Sequence, residues 1–311
     1  MHNLQVFLFG RFCLRIAGQE MRELKASKAQ ELLSYLLLHH TRPHHREALA
    51  AMLWEDDMSN TQSRRYFRRV LWQLQSVLAA FGESPDSPIL FIDEEWIQFN
   101  LQAPIWVDAL FFEQTYKLVQ DIPGHYLDSE QAHLLQQAVQ VYQSDLLNGW
   151  YHEWCLFERE RLQLILLDAL DKLMLFAEVS GKYEAGIIYG IDILRRDKIR
   201  EHTHCQLMRL FYLSGNRTAA LCQYKQCAII LENELGIKPA QATEILRQQI
   251  EADQSIDDLF TRIQNITFSR SKNTFLFQKM YDELLQIHNI LMTIQHRVEN
   301  QMEVVETALK E

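Results

Sequence analysis

The feature that most restricts the fold is a spacing. At an offset of 34 residues, Leu173 answers Leu207, Met174 answers Met208, Gly181 answers Gly215 and Ala185 answers Ala219. A unit of that length is one pair of antiparallel helices, with each Gly closing one helix and each Ala letting the next pack closely. Two pairs cannot bury their own faces, so the spacing predicts capping helices before Asp168 and after Gly236. From Val107 onward the patterning is helical throughout. The spacing thus predicts a stacked helical unit over residues 105–250, of the tetratricopeptide-like kind.

The first hundred residues follow a different rhythm. LQVFLFGRFCLRIAGQEM alternates, with Gly10 and Gly18 at turns, and predicts two or three short strands. From Ser27 the period becomes helical through Leu32, Leu33, Leu36 and Leu37, and Pro43 stops that helix. REALAAMLW (46–54) predicts a second helix and NTQSRRYFRRVLWQLQSVL (60–78) a third. ILFIDEEWIQFNL then alternates around Asp93, Glu94 and Glu95, as a hairpin does. Strands, three helices and a closing hairpin are the order of a winged helix-turn-helix module with an N-terminal sheet. The predicted class is mainly α: a winged helix over 1–104, a helical unit over 105–250 and a helical tail over 251–311.

The third helix carries the functional signal. With about 100° per residue, Phe67, Leu71, Leu74 and Leu78 share a core face within about 60°. Arg65, Arg69 and Trp72 fall on the far side, with Thr61 and Arg68 on its flank and Arg64 at the margin. Arg64/Arg68 and Arg65/Arg69 are like-charged pairs four residues apart, and residues 58–80 hold no acid. Such pairs repel unless a polyanion neutralises them. The third helix of a helix-turn-helix enters the major groove, where arginine reaches guanine edges or phosphates. The net charge is -10, yet residues 1–80 hold 11 Lys+Arg against 7 Asp+Glu. That asymmetry suits a head that meets DNA on an acidic body. Thr61, Arg64, Arg65, Arg68, Arg69 and Trp72 are the expected DNA-binding residues. The hairpin tip is acidic and is repelled by phosphates, so the wing either avoids DNA or touches a protein.

The tail keeps a heptad. Phe277, Met280, Leu284, Ile287, Leu291, Ile294, Val298, Gln301 and Val305 occupy its seam, with Ala308 as the last site. An apolar seam of that length predicts a coiled coil and a homo-oligomer, most simply a dimer. A long amphipathic helix folded back on the body is the alternative. Side positions such as Tyr281, Ile290 and Met302 widen the stripe and leave room for more than two helices.

Other motifs point to structure rather than chemistry. Five cysteines without C-x-x-C spacing suit a reducing cytoplasm. The N-terminal run lacks the features of a signal peptide, and no apolar stretch is long enough to cross a membrane. HHTRPHH (39–45) reads as loop histidines without fixed ligand geometry, HTHC (202–205) as surface polarity plus one buried thiol, and ERER (158–161) as alternating charge on a helix. No catalytic, metal or cofactor site is expected.

The motifs also occur in an order that resembles a known family. LFGRF, Gly18, Lys28-Ala29 with LLSYLLL, REALAAMLW and S-R-x-x-F-R-x-x-L-W-x-L are similar to the winged helix of the antibiotic-regulatory, SARP-type bacterial transcriptional activators. VDALFFE (107–113) resembles the junction into their bacterial transcriptional activator domain. YQSDLLNGW, EWCLFERERL, AEVSGKYEAG, ILRRDKIREH, LMRLFYLSGNRTAALCQYK and LENELGIKPAQAT then resemble that domain itself. The resemblance spans residues 4–250 and matches Arg64, Arg68 and Trp72 to the family's helix pattern. Gln75 stands where that pattern usually has another Arg, while Arg65 and Arg69 are not family positions and are candidates for sequence readout. It implies double-stranded DNA as a partner, binding at promoter repeats, and recruitment of RNA polymerase. GKYEAG (181–186) lacks the glycine of a phosphate-binding loop, so no nucleotide switch is expected. The rival reading is a protein-interaction scaffold whose winged helix binds protein rather than DNA.

Overall fold

The structure is a computed structural model that describes residues 4–16, 18–21, 24, 27–54, 60–80, 88–254 and 256. In chain order its elements are β1 (Leu4–Phe7), β2 (Cys13–Ile16), β3 (Gln19–Met21), α1 (Ser27–Leu38), β4 (His44–His45), α2 (Arg46–Trp54) and α3 (Asn60–Ala80). Then follow β5 (Leu90–Ile92), β6 (Trp96–Phe99), β7 (Ile105–Val107), α4 (Asp108–Val119), α5 (Ser129–Val141) and α6 (Glu153–Val179). The last are α7 (Tyr183–Arg196), α8 (Glu201–Leu213), α9 (Arg217–Leu235) and α10 (Gln241–Glu251). The fold is mainly helical with small sheets, as the sequence predicts. Contacts divide the chain into two compact units. One joins Met1–Met21 to Pro104–Thr261, and the described part of the other lies within Arg22–Ala103.

The smaller unit is a three-helix head closed by a sheet. Leu32, Leu33, Leu36 and Leu37 of α1 are fully buried, with Leu49 and Leu53 of α2 against them. β4, β6 and β5 form an antiparallel sheet in that order, and Leu90, Ile97 and Phe99 cover the core. The histidines differ from the loop histidines expected. His40 and His44 are buried, His40 Nδ1 lies 3.0 Å from the Leu37 carbonyl, and His44 Nε2 lies 2.9 Å from that of His39. Burial lowers the His44 pKa. These rings close the turn between α1 and β4.

In the other unit, β1–β3 pair in antiparallel register and β7 adds to β1 in parallel, giving the order β3-β2-β1-β7. The parallel strand leads straight into α4, whose first residue holds the sheet. Asp108 is buried, and its carboxylate accepts hydrogen bonds from the Leu8 and Phe9 amides at 2.8–2.9 Å. Burial raises its carboxyl to about 6 despite those donors.

The helices α4–α10 then stack in sequence. Gly181 and Gly215 end α6 and α8 with φ of +68° and +81°, a conformation glycine adopts without the Cβ penalty. Leu173, Leu207, Met174 and Met208 are all fully buried, as their repeat positions require. The close approach falls elsewhere than expected. Ala185 and Ala219 are half-buried, while Gly186 and Gly190 of α7 meet Leu210 and Leu207 of α8, and Ala220 is fully buried. A Cβ on Gly190 would lie 2.7 Å from Leu207 Cδ2. One residue is about 100° of helix, so the small-residue repeat sits beside the contact rather than in it.

Two further motifs also take structural roles. Arg159 of the ERER run donates to the carbonyls of Leu146, Leu147 and Trp150, and Arg161 bridges Glu113 and Glu158. Burial alone would raise Glu113, but the Arg161 guanidinium holds it down at about 2. HTHC is not surface polarity. Thr203 and His204 are buried, and His204 lies against the Lys198 carbonyl and the Gln223 amide. No described helix is long and apolar enough to cross a membrane. The heptad positions from Phe277 to Val305 lie outside the described residues.

Candidate nucleic-acid interface

Helix α3 forms because its strong helix formers place Phe67, Val70, Leu71, Leu74 and Leu78 on one stripe. All five are buried, at 8% exposure or less. That burial seats α3 on α1 and α2 and fixes which way its polar side faces. Arg65, Arg68 and Arg69 are exposed. Trp72 is 67% exposed, which is a costly place for an indole without a partner. Its carbonyl accepts from Ser76 Oγ at 2.8 Å. Tyr66, also exposed, lies 6.3 Å from the Trp54 ring of α2. Thr61 belongs to the first turn of α3, and its side chain lies outside the described residues.

The four arginines are not equivalent. Arg64 Nη2 lies 2.5 Å from Glu47 Oε1 of α2, so this guanidinium has an acid after all. The sequence shows no acid in 58–80, but the neutralising group comes from the preceding helix. Among the described residues no carboxylate pairs with Arg65, Arg68 or Arg69. The uncompensated charge is therefore narrower than the sequence implies, and it lies next to Trp72.

The wing is built to be stiff. Asp93 Oδ1 accepts from the Glu95 and Trp96 amides at 2.8 and 2.6 Å, which lowers the Asp93 carboxyl below its usual range. Arg46, the first residue of α2, donates to the carbonyls of Asp93 and Glu94 at 3.0 and 3.3 Å. Its amide also bonds the Glu95 carbonyl at 2.8 Å. Helix α2 thus holds the hairpin tip by its backbone and leaves the carboxylates of Glu94 and Glu95 exposed. Among the described residues no cluster of His, Cys, Asp and Glu has a metal-binding arrangement.

The chain thus pairs a winged three-helix head, whose third helix is lined with arginine, with a unit of stacked helices. Residues 107–251 match the family described as the bacterial transcriptional activator domain. The chain therefore carries a bacterial transcriptional activator domain over these residues, which are just under half of its length. Among solved structures, Mycobacterium tuberculosis EmbR in complex with a low-affinity phosphopeptide is similar, with a TM-score of 0.70 and 18% identity. The match covers 89% of this chain and 71% of that one, and it shows a shared fold. No curated protein matches the chain.

Proposed function

We propose that this protein is a cytoplasmic transcription activator that binds duplex DNA through α3 and recruits RNA polymerase. One observation carries the reading: Arg65, Arg68, Arg69 and Trp72 share the exposed side of a helix whose other side is locked into the core. In this reading α3 lies in the major groove. Arg65 and Arg69 reach base edges, Arg68 and Arg64 bind phosphate, and Trp72 packs on the backbone. The helical unit serves as a platform for partners and has no catalytic role. The heptads from Phe277 to Val305 join two chains, and paired heads on promoter repeats gain affinity through effective concentration.

The test is a salt titration of binding to random duplex, followed by selection of bound genomic fragments. Phosphate contacts give a steep negative slope of log affinity against log salt. A folded variant with all four arginines changed to alanine that binds the selected site like the wild type sinks the proposal. The scaffold alternative, in which the head binds protein, predicts that the wild type itself shows no salt-dependent duplex binding.

A further inference from the structure

The outer face of the wing has a chemistry that DNA binding does not use. In the hairpin register Leu90 pairs with Phe99 and Ile92 with Ile97, and these side chains turn inward. Phe91 pairs with Gln98 and His45 with Trp96, so these four share the outer face. Phe91 is 52% exposed and Trp96 42%. The His45 ring meets the Trp96 indole edge-on at 5.2 Å and 86°, which orients it. Beside the two aromatics lies a cavity of about 630 Å3, walled also by Pro43, Pro88 and Gln75. Asp93 also lines it. Two large rings left beside an open cavity on one short hairpin are an interaction surface rather than scattered exposure.

Charge selects the occupant. Arg46 reaches the backbone carbonyls of Asp93 and Glu94, not their carboxylates, so the tip keeps its negative charge outward. Nucleic acid is repelled by such a tip. So is the body of a second copy, whose residues 81–311 hold 20 Lys+Arg against 34 Asp+Glu. Arginine satisfies both halves of the surface: its planar guanidinium stacks on an indole or phenyl face and pairs with a carboxylate. A protein lying on the adjacent stretch of duplex carries lysine and arginine toward the phosphates, and that basic edge is what an acidic wing beside it meets.

We propose that the outer face of the β5–β6 hairpin, with Phe91 and Trp96 at its centre and Asp93, Glu94 and Glu95 at its rim, docks an arginine-bearing segment of a second protein. That this partner sits on neighbouring DNA rests on the duplex-binding reading above, while the docking chemistry does not.

The experiment titrates the full-length protein with a fluorescein-labelled peptide of alternating arginine and leucine, and with one of alternating arginine and serine, at about 0.15 M salt. Anisotropy reports binding, and random duplex is titrated in parallel. The arginine–leucine peptide should bind more tightly than the arginine–serine one. Phe91→Ser and Trp96→Ser should each weaken it roughly tenfold. Glu94→Gln with Glu95→Gln, both exposed, should weaken both peptides and flatten the salt dependence without disturbing the fold. The Phe91 and Trp96 variants should keep wild-type affinity for duplex, and the glutamine variant should bind duplex no more weakly than the wild type. Peptide binding indifferent to Phe91, Trp96, Glu94 and Glu95 places the contact elsewhere on the acidic body and overturns the proposal. Loss of duplex affinity in the Phe91 or glutamine variants, with the fold intact, puts the wing on DNA and overturns it too. Loss of self-association in the same variants makes the occupant a second copy, with the same consequence. A wild type that binds the peptide through the hairpin yet binds no duplex keeps the docking surface and removes the DNA-binding reading alone.

Discussion

Arg64 of α3 lies 2.5 Å from Glu47 of α2. The pair is partly exposed, at 43% and 31%, so screening holds its stabilising effect to about 0–1 kcal/mol. Its larger consequence is for recognition. A guanidinium held by an acid on its own protein must exchange that partner for a phosphate, whereas among the described residues no carboxylate holds Arg65, Arg68 or Arg69.

That exchange predicts opposite signs for two substitutions. Glu47→Gln frees Arg64 and should strengthen binding to random duplex, with a salt slope steeper by about one. Arg68→Ala should weaken all sequences alike and make the slope shallower by about one. A Glu47→Gln variant with unchanged slope would mean that Arg64 never meets phosphate.

Readout and stability should separate along α3. Arg65→Ala or Arg69→Ala should cost about 1–3 kcal/mol of discrimination at the base pair each contacts, measured as the ratio of selected to random affinity. Trp72→Ala should change stability by less than about 0.5 kcal/mol while weakening duplex binding, because the indole is already in water. Phe67→Ala, in the core stripe, should cost about 3–5 kcal/mol in denaturant melts.

The helical unit gives a packing test. Gly190→Val puts methyl groups into the Leu207 and Met174 side chains and should cost about 1–3 kcal/mol. Ala219→Ser, at a half-buried position near the start of α9, should leave the melting temperature nearly unchanged. Equal melting of both variants would place the α7–α8 contact elsewhere.

Asp108 carries a pH signature. Its carboxyl is raised by burial from 3.8 to about 6, so the folded chain binds that proton more tightly than the unfolded chain. Its titration therefore favours the folded state most below about pH 4, and this contribution is lost as the pH rises through about 6. The difference in unfolding free energy between wild type and Asp108→Asn should shift across that window by up to about 3 kcal/mol. A flat difference would show that the Leu8 and Phe9 amides hold the carboxylate ionised.

Oligomerisation is tested by light scattering. Full-length protein should run as a dimer and a chain ending near Ser271 as a monomer. Monomers in both cases would mean that the apolar seam folds back on its own chain.

What the sequence determined by itself is local. The 3.6-residue stripe of Phe67, Leu71, Leu74 and Leu78 sorted the core side of α3 from its arginine side. Gly181 and Gly215 marked helix ends because a left-handed residue is needed there whatever surrounds it. Alternation about Asp93 marked the hairpin for the same reason: spacing along one strand already says which side chains share a face. Tertiary structure decided everything that depends on who comes near. Glu47 reaches Arg64 across 17 residues, and Asp108 reaches Leu8 across 100. β7 joins β1 in parallel, Gly190 rather than Ala185 meets α8, and Arg46 of α2 reaches across to hold the wing tip alongside Asp93. Periodicity encodes the direction in which a side chain points but not the identity of the group it meets, because that group is set by how separate elements pack.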